Sequence, residues 1–257
     1  MPPLIDADLI TRAAGLIKSA GHAVALTGAG ISTPSGIPDF RSSGSGLWTR
    51  YDPMSVASLT AFRTHPGRFY DWVYPFAKTV MEAEPNPAHI ALARLEAAHH
   101  LSGIVTQNID DLHGRAGSKV VFEIHGHFRE ATCGSCYKRF SSEGLLEKFV
   151  KTGEVPRCPE CGGVLKPNMV LFGEQLPHEV IQPAQKLMDE SDLIIVAGSS
   201  LEVTPAAIMP IAAINNGAKL IIVNHDVTYL NPRADVVFQA DVADILPMLV
   251  DEVLSDG

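Results

Sequence analysis

The sequence contains no apolar run long enough to span a bilayer, although hydrophobic residues make up 46% of it. Its first residues, Met-Pro-Pro-Leu-Ile-Asp, lack the basic start and the apolar core of a secretory signal peptide. An excess of positive charge is also lacking, since 20 Lys and Arg stand against 29 Asp and Glu and the net charge is −9. This balance argues against a broad basic surface for nucleic acid. We therefore expect a cytoplasmic protein that binds neither membranes nor nucleic acid directly.

Cysteine is scarce, and its four copies fall in two Cys-x-x-Cys pairs, Cys133 with Cys136 and Cys158 with Cys161. Residues 137–157 separate the pairs, a spacing close to that of zinc ribbons, in which four thiolates surround one Zn²⁺. Two disulfides are an alternative that a reducing compartment disfavours. A redox-active cysteine pair is a second alternative, but the sequence around these pairs lacks the thioredoxin-like pattern of a strand followed by a helix. We predict one structural Zn²⁺ with no coordination position open for catalysis.

The order of apolar segments predicts an α/β fold. Continuous apolar runs, such as 192–198 and 219–224, are typical of strands buried in a parallel sheet, and segments with helical periodicity lie between them. We expect a Rossmann-like, doubly wound parallel sheet with a smaller inserted domain. The expected strands are 23–27, 101–106, 119–124, 192–198, 219–224 and 234–238, and the expected helices are 6–20, 86–100, one after Pro205 and one from Val242.

Two segments interrupt this α/β order. Residues 42–60 are rich in Ser, Gly, Thr and Pro and are predicted to form a mobile loop, whereas 61–84 carry aromatic residues at helical spacing. Together with the cysteine segment they would form the small domain, a helical module plus a zinc ribbon, facing the sheet across a cleft. The expected domains are 1–41, 86–130 and 164–257 for the Rossmann domain, and 42–85 and 131–163 for the small domain.

Polar residues follow the predicted strands at the point where each strand ends. The strand at 23–27 runs into a glycine-rich loop, which is where α/β folds bind the phosphates of a dinucleotide. Because ligands of such sheets bind beyond the carboxyl ends of the strands, these segments should form one composite site. A dehydrogenase is disfavoured, because the loop lacks the third glycine of Gly-x-Gly-x-x-Gly. The other polar strand ends are 106–110, 123–126, 198–200 and 224.

The chain resembles the sirtuins, the NAD-dependent protein lysine deacylases, in motifs that occur in the family's order along nearly its whole length. They are Gly-Ala-Gly-Ile-Ser-x-x-Ser-Gly-Ile-Pro-Asp-Phe-Arg at 28–41, Thr-Gln-Asn-Ile-Asp-x-Leu-His at 106–113, His-Gly at 125–126, the two cysteine pairs, Phe-Gly-Glu at 172–174, Gly-Ser-Ser-Leu at 198–201 and Val-Asn at 223–224. The resemblance implies a compact catalytic core of bacterial or archaeal type, built from a Rossmann domain and a small zinc-bearing domain.

The resemblance also implies which residues act on NAD, which is consumed as a cosubstrate. His125 would be the general base, and Asn108 would contact the ribose and order a water molecule. Nicotinamide, O-acetyl-ADP-ribose and deacetylated lysine would be the products. The implied NAD-binding residues are Gly28, Ala29, Thr33, Asp39, Phe40, Arg41, Gln107, Ile109, Asp110, Gly198, Ser199, Ser200, Asn224, Asp241 and Val242.

The expected partners are proteins or peptides that carry acetyl-lysine and bind as an extended strand. Family members that remove succinyl or malonyl groups carry a Tyr-x-x-Arg pair. Here Tyr74 and Ala77 stand at those positions, so neutral acyl groups, acetyl first, are expected. The implied substrate-binding residues are Val170, Phe172, Gly173, Glu174 and Val203.

Two other functions would use some of the same sequence features. Mono-ADP-ribosyl transfer to protein would use the same NAD site with another nucleophile, although the lysine tunnel and His125 favour deacylation. A non-enzymatic zinc ribbon that binds nucleic acid or a protein is the other alternative. The acidic balance and the polar strand ends argue against it.

Overall fold

The computed structural model describes residues 6–40 and 46–255. Its larger sheet consists of β1 (Ala23–Thr27), β2 (Gly103–Thr106), β3 (Val121–Glu123), β7 (Leu193–Ala197), β8 (Lys219–Val223) and β9 (Val236–Phe238). These six strands are all parallel and lie in the order β3-β2-β1-β7-β8-β9. Strand order therefore reverses between β1 and β7, as in a doubly wound sheet. The fold class expected from the sequence is confirmed.

A second, antiparallel sheet is formed by β4 (Gly126–Cys133), β5 (Arg139–Ser141) and β6 (Leu165–Met169) in the order β5-β4-β6. Strands β4 and β6 pair from Gly126 opposite Met169 to Cys133 opposite Leu165. This small sheet reaches beyond the segment 131–163 at both ends. As a result, β4 starts directly after His125, and β6 ends directly before Val170.

Helices cover both faces of the larger sheet. On one face, α1 (Ala7–Ser19), α5 (Pro87–Ala97) and α10 (Val242–Leu254) form one buried cluster with the strands. On the other, α8 (His178–Asp189) and α9 (Ile211–Asn215) contribute to a second cluster. Because both faces are covered, β1 and β7 are buried at every position, which explains the continuous apolar residues 23–26 and 193–197. None of the helices within 6–40 and 46–255 combines the length and hydropathy needed to cross a bilayer.

The helical module packs an aromatic core against the small sheet. It contains α2 (Pro53–Val56), α3 (Leu59–Thr64), α4 (Pro66–Glu82) and α7 (Leu145–Thr152), and a further short helix, α6 (Leu112–Arg115), follows β2. The Tyr74 hydroxyl donates to the Val150 carbonyl oxygen at 2.8 Å and so joins α4 to α7. The buried aromatic residues of this core are Phe62, Phe69, Tyr70, Trp72, Phe76, Phe128 and Phe149.

The mobile loop predicted over 42–60 begins with residues 42–45, which lie outside the described residues, and the prediction is wrong for the second half of the segment, where α2 and α3 begin. The Asp52 carboxylate accepts a hydrogen bond from the Met54 N–H, and the Ser58 hydroxyl accepts one from the Ala61 N–H. Asp, Ser and Pro are typical of loops, but here they act as helix caps and a first-turn proline. The segment expected to be a helix after Pro205 forms two short pieces, a 3₁₀ turn at Ala206–Ile208 and then α9.

Candidate active site

A cavity of about 300 Å³ lies where the carboxyl ends of β1 and β2 face the aromatic side chains of the helical module. Its walls come from the loops after β1, β2 and β3, from the helical module and from the segment that follows β6. Much of the predicted site is therefore brought together. The predicted residues that line the cavity are Ala29, Phe40, Gln107, Asn108, Ile109, Asp110, His125, Val170, Phe172, Gly173, Glu174 and Val203.

The glycine-rich loop packs against the end of β7 so closely that a side chain would not fit. The Gly30 N–H donates to the Gly198 carbonyl oxygen at 2.9 Å. A Cβ atom on Gly198 would lie 2.2 Å from the Ile31 nitrogen, and Gly198 has a φ of +60°. The loop thus presents its backbone at the point between β1 and β7 where doubly wound sheets bind dinucleotides.

Side chains connect the neighbouring strand ends along this edge. The Gln107 Nε2 atom donates to the Ser199 Oγ atom at 2.9 Å, which joins the loops after β2 and β7. The Thr33 hydroxyl donates to the Gly30 carbonyl oxygen at 3.0 Å and stabilises the glycine-rich loop. The predicted NAD site therefore continues past the cavity along the loops of the sheet.

Other predicted NAD-binding residues lie along this edge without lining the cavity. The Asn224 N–H donates to the Phe238 carbonyl oxygen at 3.0 Å, at the ends of β8 and β9. Asp241 caps α10 by accepting from the Ala243 N–H at 2.8 Å, and Val242 is buried in the core. Arg41 lies outside the described residues. The predicted residues absent from the cavity lining are Gly28, Thr33, Asp39, Gly198, Ser199, Ser200, Asn224, Asp241 and Val242.

Asp110 is the centre of a buried polar network. The Ser32 hydroxyl donates to Asp110 Oδ2 at 2.7 Å, and Asn108 Nδ2 donates to the Ser32 hydroxyl at 3.0 Å. Burial raises the pKa of Asp110, although hydrogen bonds from Ser32 and the Leu112 N–H oppose this rise. Ser32, Asn108 and Asp110 all line the cavity, to which they offer polar groups already fixed in place.

Two histidines lie behind this network. His89 Nε2 is 3.4 Å from the Ser32 hydroxyl, and burial lowers the pKa of His89 to about 4. His113 Nε2 is 2.9 Å from the Thr27 hydroxyl, and burial, with a smaller contribution from His89, lowers the pKa of His113 well below its usual value. Both rings are therefore neutral at pH 7. The sequence reasoning missed Ser32 and His89, although the Ser of Gly-Ala-Gly-Ile-Ser was a signal for the first.

His125 stands in the cavity wall between β3 and β4. Its Nδ1 atom lies 3.0 Å from the Gln107 carbonyl oxygen. Because a carbonyl only accepts, this contact places a proton on Nδ1, so that the lone pair of the neutral ring lies on Nε2. The following residue, Gly126, has a φ of +77°, and a Cβ there would lie 2.0 Å from the Asn168 carbonyl oxygen. In its neutral form the ring therefore presents Nε2 as the proton acceptor that a general base needs.

Residues 170–174 form a further part of the cavity wall. The Val170 N–H donates to the His125 carbonyl oxygen at 2.8 Å, and the Phe172 N–H donates to the Ala57 carbonyl oxygen at 2.9 Å. This segment is therefore connected both to the start of β4 and to the junction of α2 and α3. Phe172 and Gly173 are exposed, and Val203 of the loop after β7 lines the same cavity.

Both tryptophans of the chain line the cavity. Trp48 stacks on Trp72 with ring centroids 5.5 Å apart, and it contacts Phe40 at 5.3 Å and Phe172 at 6.0 Å. These rings make this side of the cavity apolar. Among the described residues, the lining contains two carboxylates, Asp110 and Glu174, and no Lys or Arg.

The four cysteines meet in the small sheet, and their Sγ atoms all lie within 4.8 Å of one another. Tetrahedral Zn²⁺ with Zn–S bonds of about 2.3 Å needs sulfur atoms roughly 3.8 Å apart. The Sγ atoms of Cys133 and Cys161 are 3.5 Å apart, and those of Cys136 and Cys158 are 3.8 Å apart. The residues therefore fit one structural Zn²⁺ with four protein ligands.

Comparison with known proteins identifies the family. The model of the Sir2 family matches residues 28–205. NAD-dependent protein deacetylase 2 of Caldanaerobacter subterraneus subsp. tengcongensis is 46% identical over 232 residues, which cover 90% of this chain and 91% of that protein. NAD-dependent protein deacylase 2 of Archaeoglobus fulgidus is 44% identical over 247 residues, or 96% of each chain.

Solved structures agree with these sequence matches. A Sir2 enzyme of known structure has a TM-score of 0.91 and 42% identity, over 98% of this chain and 100% of the other. A Sir2 homologue in complex with NAD has a TM-score of 0.87 and 38% identity, over 99% and 96%. The chain therefore belongs to the Sir2 family of NAD-dependent protein deacylases.

Proposed function

We propose that this protein deacetylates lysine side chains of other proteins and releases nicotinamide, O-acetyl-ADP-ribose and free lysine. The proposal depends on one observation: His125, the network around Asp110 and the segment 170–174 line the same cavity. The groups that would act on NAD and the segment that would hold the peptide therefore meet at one place. The zinc site has no open coordination position and takes no part in the chemistry.

The chain offers a fitting site for NAD at the edge of the sheet. A Cβ atom on Gly28 or Gly30 would lie 2.9 Å from the Gly198 carbonyl oxygen, so the loops after β1 and β7 meet through their backbones, and no side chain at these glycines would block a dinucleotide. When bound, NAD supplies an electrophilic ribose carbon whose leaving group, nicotinamide, departs neutral. Asp110 and Ile109 would hold the carboxamide, and Gln107 and Asn108 the adjoining ribose. The pyrophosphate and the ribose on the nicotinamide side would be held by Ala29, Thr33, Phe40 and Arg41, and the adenosine half would contact Ser199, Ser200, Asn224, Asp241 and Val242.

His125 would remove a proton from a ribose hydroxyl once the acyl oxygen is attached to the sugar. The Gln107 carbonyl oxygen, 3.0 Å from Nδ1, keeps the lone pair on Nε2. An imidazole is suited to this task because its proton exchange falls near neutral pH. Gln107 would thereby serve both the ribose, through its side chain, and the base, through its backbone.

The substrate would bind as an extended strand between the segment 170–174 and the loop that carries Val203. Phe172 already pairs with Ala57 and Leu59 on one side, so the peptide would occupy the other. A Sir2 structure with a TM-score of 0.88 and 38% identity holds a deacetylated p53 peptide, and another, with a TM-score of 0.83 and 37% identity, holds a myristoylated histone peptide. These complexes support the binding of a peptide substrate by this chain.

Incubating the purified protein with an acetyl-lysine peptide should remove the acetyl group only when NAD is present. Mass spectrometry should then find nicotinamide and O-acetyl-ADP-ribose in equal amounts, and the reaction without NAD is the control. Mono-ADP-ribosyl transfer would instead leave radiolabelled ADP-ribose on protein. Label that stays on protein while the peptide keeps its acetyl group would contradict the proposal.

Acetyl-lysine should be processed at least about tenfold more efficiently than succinyl-lysine in the same peptide, measured as kcat/KM. The described lining contains no Lys or Arg that could pair with a succinyl carboxylate, and its own carboxylates, Asp110 and Glu174, cannot pair with one. Ala77 supplies no cation, and the Tyr74 hydroxyl already donates to the Val150 carbonyl oxygen. Equal efficiencies for the two acyl groups would refute a preference for neutral acyls.

We further propose a cytoplasmic location. Four thiols that bind zinc need a reducing compartment, because oxidation to disulfides would destroy the ligand set. The expectation that the protein binds neither membranes nor nucleic acid directly stays a prediction.

A further inference from the structure

Lys166, on β6, forms a largely buried ion pair with Glu174. The Lys166 Nζ atom lies 3.0 Å from Glu174 Oε2, and the two side chains are only 16% and 20% exposed. The same Nζ donates to the carbonyl oxygens of Pro167 at 3.0 Å and Met169 at 2.8 Å. All three donors of the ammonium group are therefore used, and each of them contacts the end of β6 or the segment beyond it.

The side chain and the backbone of Glu174 are also used in hydrogen bonds within the segment 170–174. Its Oε2 atom accepts a hydrogen bond from the Leu171 N–H at 2.8 Å, and its own N–H donates to the Leu171 carbonyl oxygen at 2.9 Å. Gly173, between them, has a φ of +84°, which closes the turn. The Glu174 carboxylate therefore points back into residues 170–174, where it fixes the turn that carries Phe172 and Gly173.

We propose that Lys166 and Glu174 are positioning residues that hold the segment 170–174 in the conformation that receives the substrate peptide. Glu174 acts through this segment, although the sequence motif suggested that it binds the substrate itself. The inference rests on the proposed role of 170–174 in peptide binding. Lys166 belongs to none of the motifs by which the family was recognised.

The charges explain why the two residues act together. Burial lowers the pKa of Lys166, and the carboxylate of Glu174 opposes this shift. Removing one partner leaves a buried charge without compensation, whereas removing both leaves none. Each single substitution should therefore disturb the segment at least as much as the double substitution does.

The test compares Lys166→Met, Glu174→Gln and the double variant with the parent enzyme. Each single variant should raise the KM for an acetyl-lysine peptide about tenfold while changing the KM for NAD less than about twofold. The double variant should be no worse than either single variant, which is the non-additivity expected of one unit. Lys166→Arg, which keeps the charge, should recover part of the loss.

Peptide binding can be followed without turnover, because both tryptophans line the cavity and Trp48 contacts Phe172. Tryptophan fluorescence should show the same loss of peptide affinity in both single variants. The loss should be equal for a neutral and a basic peptide. Lys219→Met is the control, since Lys219 of β8 in the larger sheet also pairs with a carboxylate, that of Asp235, and it should leave the peptide KM unchanged.

Two outcomes would overturn the proposal. If Glu174→Gln weakens only basic peptides and Lys166→Met does not reproduce its effect, Glu174 contacts the substrate directly. If the single variants lower the unfolding temperature but leave the peptide KM unchanged, the pair is merely structural. An absence of NAD-dependent deacetylation in the parent enzyme is a different result, and it would refute the proposed function itself.

Discussion

Replacing His125 with alanine should lower the rate of deacetylation by about 10²- to 10⁴-fold, the usual contribution of a positioned general base. The ring is half-buried in the cavity wall, with Nδ1 held by the Gln107 carbonyl oxygen, so its loss removes the proton acceptor from the site. The glycine-rich loop and the Asp110 network do not depend on the ring. Affinity for ADP-ribose, measured by calorimetry, should therefore stay within about twofold of the parent value. Deacetylation itself should be measured in single-turnover experiments by mass spectrometry.

His127→Ala is the matched control, because His127 lies two residues further along, within β4. Burial, together with the nearby Arg129, lowers the pKa of His127, and the residue does not line the cavity. This variant should keep its activity within a few-fold of the parent. A His125→Ala enzyme that deacetylates as fast as the parent would exclude His125 as the base. Equal losses in both variants would point to a general disturbance of β4 instead.

The larger sheet was predictable because its strands are buried on both faces. A strand such as β7 consists only of apolar residues, and a short apolar run between helical segments indicates a strand buried in a parallel sheet. The start of a helix was also predictable where a single capping residue determines it. Asn86 caps α5 by accepting from the Ala88 N–H, with Pro87 in the first turn, as its sequence predicts.

The elements that were missed or misplaced have weak local signals. Helix α8 was not predicted: Pro183 in its interior is typical of a helix end, although its apolar residues follow helical spacing. Helix α5 ends at Ala97, short of the predicted 100, because His99 adopts a φ of +62° that cannot continue a helix. In these places long-range packing, which the sequence pattern does not record, decides the structure.

The candidate site was likewise predictable in part. The rule that ligands bind at strand ends placed Asn108, Asp110 and His125 at one edge of the sheet, and the structure brings them to one cavity. It could not predict that Asp110 depends on the hydroxyl of Ser32, which comes from a different loop. Nor could it predict that the carboxylate of Glu174 is used by Lys166, because no spacing rule connects a strand residue to the turn beyond it. The individual contacts to NAD and to the peptide stay predictions.

Replacing Cys133 with serine should release the zinc and unfold the small sheet. Cys133 is fully buried at the end of β4, where it pairs with Leu165 of β6. The core beneath the zinc site is small, consisting of Ala131 and Leu165 with the partly buried Phe140 and Leu145 besides the cysteines. A core of this size cannot replace a metal whose binding contributes roughly 10–16 kcal/mol in zinc-finger peptides. Metal analysis should fall from one zinc per chain to nearly none, and amide exchange in β4–β6 should accelerate.

Activity should fall with the zinc, although the metal touches no substrate. Strand β4 starts beside His125 and β6 ends beside Val170, so the pairing of Gly126 with Met169 sets the distance between the base and the peptide segment. Losing it should reduce deacetylation by at least about 100-fold. ADP-ribose should still bind, because the larger sheet has buried clusters of its own. Tyr137→Ala, an exposed change beside Cys136, is the control and should keep both zinc and activity. A Cys133→Ser protein that deacetylates normally without zinc would show that the small sheet holds its register unaided.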